Sequence, residues 1–102
     1  MTSFTDPIES DADSTAREAK AQRRVQREVD DLKWIMADPR GRRFVARLLD
    51  RAGVHRSSFN NSGSVMAFNE GRREMGLFLT AEVLEHTPKA YSQLLNEYRN
   101  DD

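Results

Sequence analysis

Apolar residues along the chain recur at three- and four-residue spacings, the period of a helix, and nowhere alternate as a half-buried strand would. Val25, Val29, Leu32 and then Ile35 or Met36 form one narrow stripe, which predicts a long helix over residues 15–36. Ser14 or Thr15 offers an N-cap, with Glu18 in the first turn. The first half of this helix brings only Ala16, Ala19 and Ala21 to a core. It is a good helix former, expected to project into solvent or to wait for a partner.

Asp38-Pro39 reads as a restart: the carboxylate caps free N–H groups, and proline suits the first helical position. The second helix is predicted to reach Ala52, with Phe44, Val45, Leu48, Leu49 and Ala52 facing a core and Gly53 suited to a left-handed C-cap. Residues 54–63 form the main loop, where Phe59 is the residue expected to pin the chain to the core. A third helix is predicted over 64–86. Its bulky residues Phe68, Met75, Phe78, Leu79 and Leu84 spread over more than one stripe, which predicts burial against several neighbours. Gly71 and Gly76 lie in its interior, each at a cost of about 1 kcal/mol relative to alanine, and are expected where another helix or backbone comes close. Thr87-Pro88 repeats the cap-then-proline device, and a last helix over 88–99 carries Tyr91, Leu94, Leu95 and Tyr98 on one side. The expectation is an all-α fold, a small bundle of about four helices with a long N-terminal helix.

Composition sharpens the boundaries. With 102 residues there is room for one domain, and a mean hydropathy of -0.79 is polar enough that part of the chain should lie outside the core. Residues 1–13 carry Asp6, Glu9, Asp11 and Asp13 with no base, and read as a disordered acidic tail. Residues 14–29 then form a projecting basic helix segment, 30–98 the folded helical unit and 99–102 an acidic C-terminal end. The N-terminus has neither a basic n-region nor an apolar h-region, and no apolar run is long enough to span a bilayer. Both features lead to the expectation of a chain in the cytoplasm with no membrane partner. No cysteine is present, which excludes disulfides, thiolate catalysis and zinc–thiolate sites.

Candidate chemistry is correspondingly sparse. His55 and His86 are far apart, and Glu82 with His86 at i, i+4 is a weak metal signal. No catalytic, cofactor or metal-binding residues and no small-molecule substrate are expected, so the chain is not expected to be an enzyme. The net charge of -1 conceals basic stretches. Arg17, Lys20, Arg23, Arg24 and Arg27 lie on the first helix, while Arg40, Arg43, Arg47 and Arg51 line up on the exposed side of the second. Such faces suit nucleic-acid phosphates or an acidic protein surface, including the chain's own tail. They also suit no partner at all, as solvated faces paired with nearby carboxylates. Arg42 and Arg43 after Gly41, and Arg72 and Arg73 after Gly71, are paired arginines inside helices. A buried arginine needs an anion, which Glu70 and Glu74 offer to the second pair. Arg42 or Arg43 is expected to reach the third helix.

The run Asp38-Pro39-Arg40-Gly41-Arg42-Arg43-Phe44, then Leu48-Leu49, then Phe68-Asn69-Glu70-Gly71-Arg72-Arg73-Glu74-Met75-Gly76, and finally Pro88-Lys89-Ala90-Tyr91, resembles the Bbp-nineteen-like phage domain over residues 30–98. That family of small tailed-phage proteins was named from a podovirus. The resemblance implies a product of the head-assembly and DNA-packaging region with no enzymatic activity to carry over. It implies Gly41, Arg42, Arg43, Phe44, Glu70, Gly71, Arg72, Arg73 and Gly76 as a structural signature. The expected function is a protein-interaction module of virion assembly or DNA packaging, bound to phage structural or packaging proteins or to itself, in the host cytoplasm during infection or in the virion. The alternative is a nucleic-acid-binding accessory that uses Arg17, Lys20, Arg23, Arg24, Arg27, Arg40, Arg47 and Arg51.

Overall fold

The computed structural model describes residues 11–100 and holds four helices: α1 Asp11–Ala37, α2 Pro39–Ala52, α3 Gly63–His86 and α4 Pro88–Asn100. No strand occurs among the described residues, as the apolar spacing requires. Residues 1–10, most of the stretch expected to be an acidic tail, lie outside the described residues. Asp11, Ala12 and Asp13 are helical, so Ser14 and Thr15 sit inside α1 rather than capping it. Asp11 and Asp13 fall in the first described turn, where carboxylates complement the unpaired N–H groups of a helix start.

The chain divides into two units between Asp31 and Leu32. In the first, residues 11–31 are helix alone, and nearly every side chain is exposed. Support there is local, as where Gln26 Nε2 donates to Asp30 Oδ1 at 2.9 Å one turn on. Val25, predicted to open the core stripe, is exposed.

The second unit, beginning at Leu32, contains the core. Met36, Val45, Ala46, Leu49, Val54, Val83 and Leu94 are buried, with Leu32, Ile35, Leu79, Tyr91 and Leu95 packed against them. α2 contacts both α3 and α4, and these also touch each other. The turn into α2 follows its sequence closely. Asp38 is extended (φ -107, ψ 136), its carboxylate accepts from the Arg40 N–H at 2.7 Å, and Pro39 takes the first helical position. At the other end Gly53 is left-handed (φ 74), and its N–H reaches the carbonyls of Leu49 and Asp50. Ser62 caps α3 through its hydroxyl, which accepts from Val65 N. At Thr87 the N–H and hydroxyl both donate to Val83 O, at 2.8 and 2.9 Å, which closes α3 just before Pro88 restarts the chain.

Three expectations about the core are corrected. Phe59 does not pin the loop: it is 73% exposed, and Val54, directly after the C-cap glycine, is the buried loop residue. On α2, Val45 and Leu49 are buried, but Phe44 and Leu48 are not, because Arg42 and Ala46 occupy the middle of the buried face. On α3, only one side is covered by the described residues. Gly76 and Val83 are buried and Leu79 partly so, whereas Phe68, Met75, Phe78 and Leu84 remain exposed.

The glycines separate into two kinds. A Cβ at Gly41 would fall on the backbone carbonyl of Ile35, and one at Gly76 would lie 2.5 Å from Val54 Cγ1 and 2.6 Å from Ala52 Cβ. At Gly71 it would meet nothing within 4 Å, so among the described residues the close approach expected of both α3 glycines occurs only at Gly76. Urea unfolding of dilute protein checks the distinction. Gly76→Ala should cost about 1–3 kcal/mol and Gly41→Ala at least as much, while Gly71→Ala should stabilise by up to about 1 kcal/mol. A Gly71→Ala variant as destabilised as Gly76→Ala would contradict this packing.

Candidate interaction surface

Arg42 is the one buried charged side chain among the described residues. Its Nε donates to Glu97 Oε1 and its Nη2 to Glu97 Oε2, both at 2.9 Å, and its Nη1 donates to Met36 O, also at 2.9 Å. The sequence led to α3 for this arginine; it reaches α4 and the last turn of α1 instead. The reason is its place on α2, on the buried face with Val45, Ala46 and Leu49. The hydrogen bonds from Arg42 hold the Glu97 carboxyl below the usual carboxylate range, and Glu97 in turn raises Arg42. Sequence reasoning missed Glu97 because 55 residues separate it from Arg42. It is nonetheless the only carboxylate in α4, which was the available signal.

This pair closes the floor of an open groove of about 430 Å³ between α2 and α4, lined by Pro39, Arg42, Arg43, Arg47, Glu97 and Tyr98. With Arg42 engaged, the free chemistry of the groove is its rim. Arg43 and Arg47 are exposed there, the latter with its guanidinium 5.4 Å from the Phe44 ring centre. Of the other α2 arginines proposed as contacts, Arg40 is held by Asp38 at 3.2 Å, and Arg51 is exposed in the last turn. Tyr98 Oη donates to Asp50 Oδ1 at 3.0 Å across the α2–α4 seam. A second groove, at the α1–α2 corner, is lined by Trp34, Ile35, Asp38, Arg40 and Gly41. Trp34, which the sequence reading passed over, is 79% exposed there.

The second arginine pair, on α3, divides: Arg72 is exposed, whereas Arg73 is partly buried. Arg72 Nη2 donates to Asn69 Oδ1 at 2.9 Å, and its guanidinium lies 5.0 Å from the Phe68 ring centre. Arg73 approaches Glu70 at 3.8 Å within the same helix, and its Nε is buried without a hydrogen-bond partner. Among the described residues neither arginine has an ion pair with another helix comparable to that of Arg42. Phe68, Gly71, Met75 and Phe78 follow one another at spacings of three, four and three, so they share one face. Phe68, Met75 and Phe78 are 65%, 69% and 62% exposed, and Gly71 between them is open to solvent. Contiguous bulky apolar side chains on a soluble surface mark an interaction site more often than isolated ones do.

Glu82, Glu85 and His86 hold potential ligand atoms within 4.8 Å of one another at the end of α3. They lie on one partly exposed helical turn, where Glu85 and His86 are 3.7 Å apart. The α1 bases are also exposed: Arg17, Lys20, Arg24 and Arg27 share a face, with Arg23 beside it.

Two outcomes follow from the Arg42 junction. Glu97→Ala should destabilise the fold by about 2 kcal/mol, because Arg42 stays buried without its anion. The half-exposed state of Glu97 keeps the loss below that of a fully buried pair. A carboxylate whose folded pKa is depressed contributes stability above its unfolded value, and that contribution is lost as pH falls through the folded value. Stability should therefore hold from neutral pH to about 5 and fall below the ordinary glutamate value of 4.5. The fall should be shallower in Glu97→Gln, by urea titration at each pH. Equal slopes in both proteins would remove Glu97 as the cause.

Against the known families, residues 32–96 match the model of the Bbp19-like phage protein. Searches of curated proteins and of solved structures returned no match. The matched stretch begins where the second unit begins, contains Arg42 and the whole of α2 and α3, and ends one residue before Glu97. Since it spans more than half of the sequence, the chain belongs to the Bbp19-like phage protein family.

Proposed function

We propose that this phage protein works without catalysis, as a protein-interaction module of virion assembly or DNA packaging associated with the head or portal. The observation that carries the reading is α3. It is apolar on more than one side, while among the described residues only the side of Gly76 and Val83 is covered. Bulky apolar side chains grouped on an exposed face mark an interaction surface, and on this reading a partner covers it. The positive rim of the α2–α4 groove adds a second contact, suited to acidic side chains of a protein partner. On this reading the protein acts in the cytoplasm of the infected cell and is carried in the particle if its partner retains it.

The nucleic-acid reading has one specific feature in its favour, the α1 face of Arg17, Lys20, Arg24 and Arg27. Asp13 and Asp31 lie on the same line at either end and confine it. Four phosphate contacts give a salt slope of roughly -3 to -4, well short of a tight nucleic-acid binder, so the protein reading is the stronger.

The test is genetic. With Phe68→Asp and Phe78→Asp introduced together into the phage that encodes the protein, genome replication should continue while filled particles fall by about tenfold or more, counted by electron microscopy. Full particle yield from this variant contradicts the reading. A duplex-DNA mobility shift at low salt, lost on reversing Arg23, Arg24 and Arg27 to glutamate, would instead support the nucleic-acid alternative.

A further inference from the structure

We infer that the occupant of the exposed α3 face is the same face of a second copy of this chain, with the two α3 helices side by side and parallel. The inference rests on the reading of the chain as an interaction module, and names the partner of its apolar face. Spacings of three, four and three across Phe68, Gly71, Met75 and Phe78 are those of a helix-pairing seam. Among the described residues nothing requires glycine at position 71, since a Cβ there meets nothing within 4 Å. Against a second helix there is a requirement: a residue without a side chain in the middle of the seam lets two backbones come close, flanked by Phe68 on one side and Met75 on the other.

Charge selects both the partner and the direction. At 100° per residue, Arg72 lies roughly 80° to one side of the seam and Glu74 roughly 80° to the other. Toward the end of the helix Glu85 again falls on the Glu74 side. When two identical helices pair in parallel about a two-fold axis, the basic flank of each meets the acidic flank of the other, and both flanks are satisfied at once. Antiparallel pairing would set Arg72 against Arg72 and Glu74 against Glu74. The surface is thus complementary to itself in one orientation only.

Sedimentation of the full chain should show a dimer at about 100 µM, an association that an interface of modest size reaches. Gly71→Leu should raise the dissociation constant by about tenfold or more while leaving the far-ultraviolet helix signal unchanged, because the added side chain has open space in the single chain. Arg72→Glu should weaken pairing by about tenfold across the two equivalent flanks, and Arg72→Glu with Glu74→Arg should restore it. The chain has no cysteine, so direction can be read by cross-linking. Ser64→Cys and Glu82→Cys lie on the seam line near its two ends, and each should form a disulfide dimer on its own. Cross-linking only in a mixture of the two variants would overturn the parallel arrangement. A wild-type chain that stays monomeric at 100 µM, or a Gly71→Leu protein that pairs as well as wild type, would overturn the pairing itself. A monomeric chain whose Phe68→Asp, Phe78→Asp variant still blocks particle assembly would leave the interaction reading standing with a different phage protein on this face. A dimer whose variant assembles normally would do the reverse.

Discussion

The three hydrogen bonds of Arg42, two to the carboxylate of Glu97 and one to the carbonyl of Met36, are the constraint around which the folded unit is arranged. They draw the last turn of α1, the first turns of α2 and the end of α4 to one point. The approach of α1 to α2 leaves no room for a side chain at position 41, where glycine lies against Ile35. A guanidinium suits the position because its planar fork meets both carboxylate oxygens and still spares Nη1 for the helix carbonyl; an ammonium cannot make that set. Burial of such a pair adds little net stability compared with an apolar replacement, but removal of one partner is costly. Its contribution is therefore best described as fixing which helix ends meet.

The local punctuation of the fold is legible in the sequence because its causes are local. Asp38-Pro39, Gly53 and Thr87-Pro88 act through hydrogen bonds and backbone angles within four residues of themselves. These features place three of the four helix boundaries around α2 and α4, and apolar spacing supplies the helices between them. The partner of Arg42 is not legible in that way, since pairing rules for a helix look three or four residues along, and Glu97 lies in another helix. Burial was misjudged where a residue type stood in for a position. Phe59 is large and apolar but sits in an exposed stretch of loop, and the smaller Val54 is fixed against the core by the Gly53 cap. The bulky residues of α3 predict burial on several sides, but the described residues supply neighbours on one side only.

That mismatch gives the unit its character. Only Met36 and Val83 among its apolar side chains are fully buried, and a folded unit of this size has little surplus apolar burial with which to offset chain entropy. Meanwhile Phe68, Met75 and Phe78 hold large apolar surfaces in water, at a free-energy cost that burial against a partner would remove at roughly 25 cal/mol per Å². The junction at Arg42 and the face of α3 thus play complementary parts. The first sets the core that a single chain can complete, and the second is the part of the apolar surface that this core leaves uncovered. The family match runs through α2, α3 and most of α4, so it takes in Arg42 and the α3 face and stops one residue short of Glu97.

The central claim is that the α3 face is covered by association and not by the chain itself. Hydroxyl-radical footprinting of the full-length protein across a concentration series tests it most directly. The account predicts that labelling of Phe68, Met75 and Phe78 falls steeply as concentration rises, while Trp34 on the α1–α2 corner stays equally reactive throughout. Labelling of the three α3 residues that is the same at every concentration, or a decline shared equally by Trp34, would contradict it.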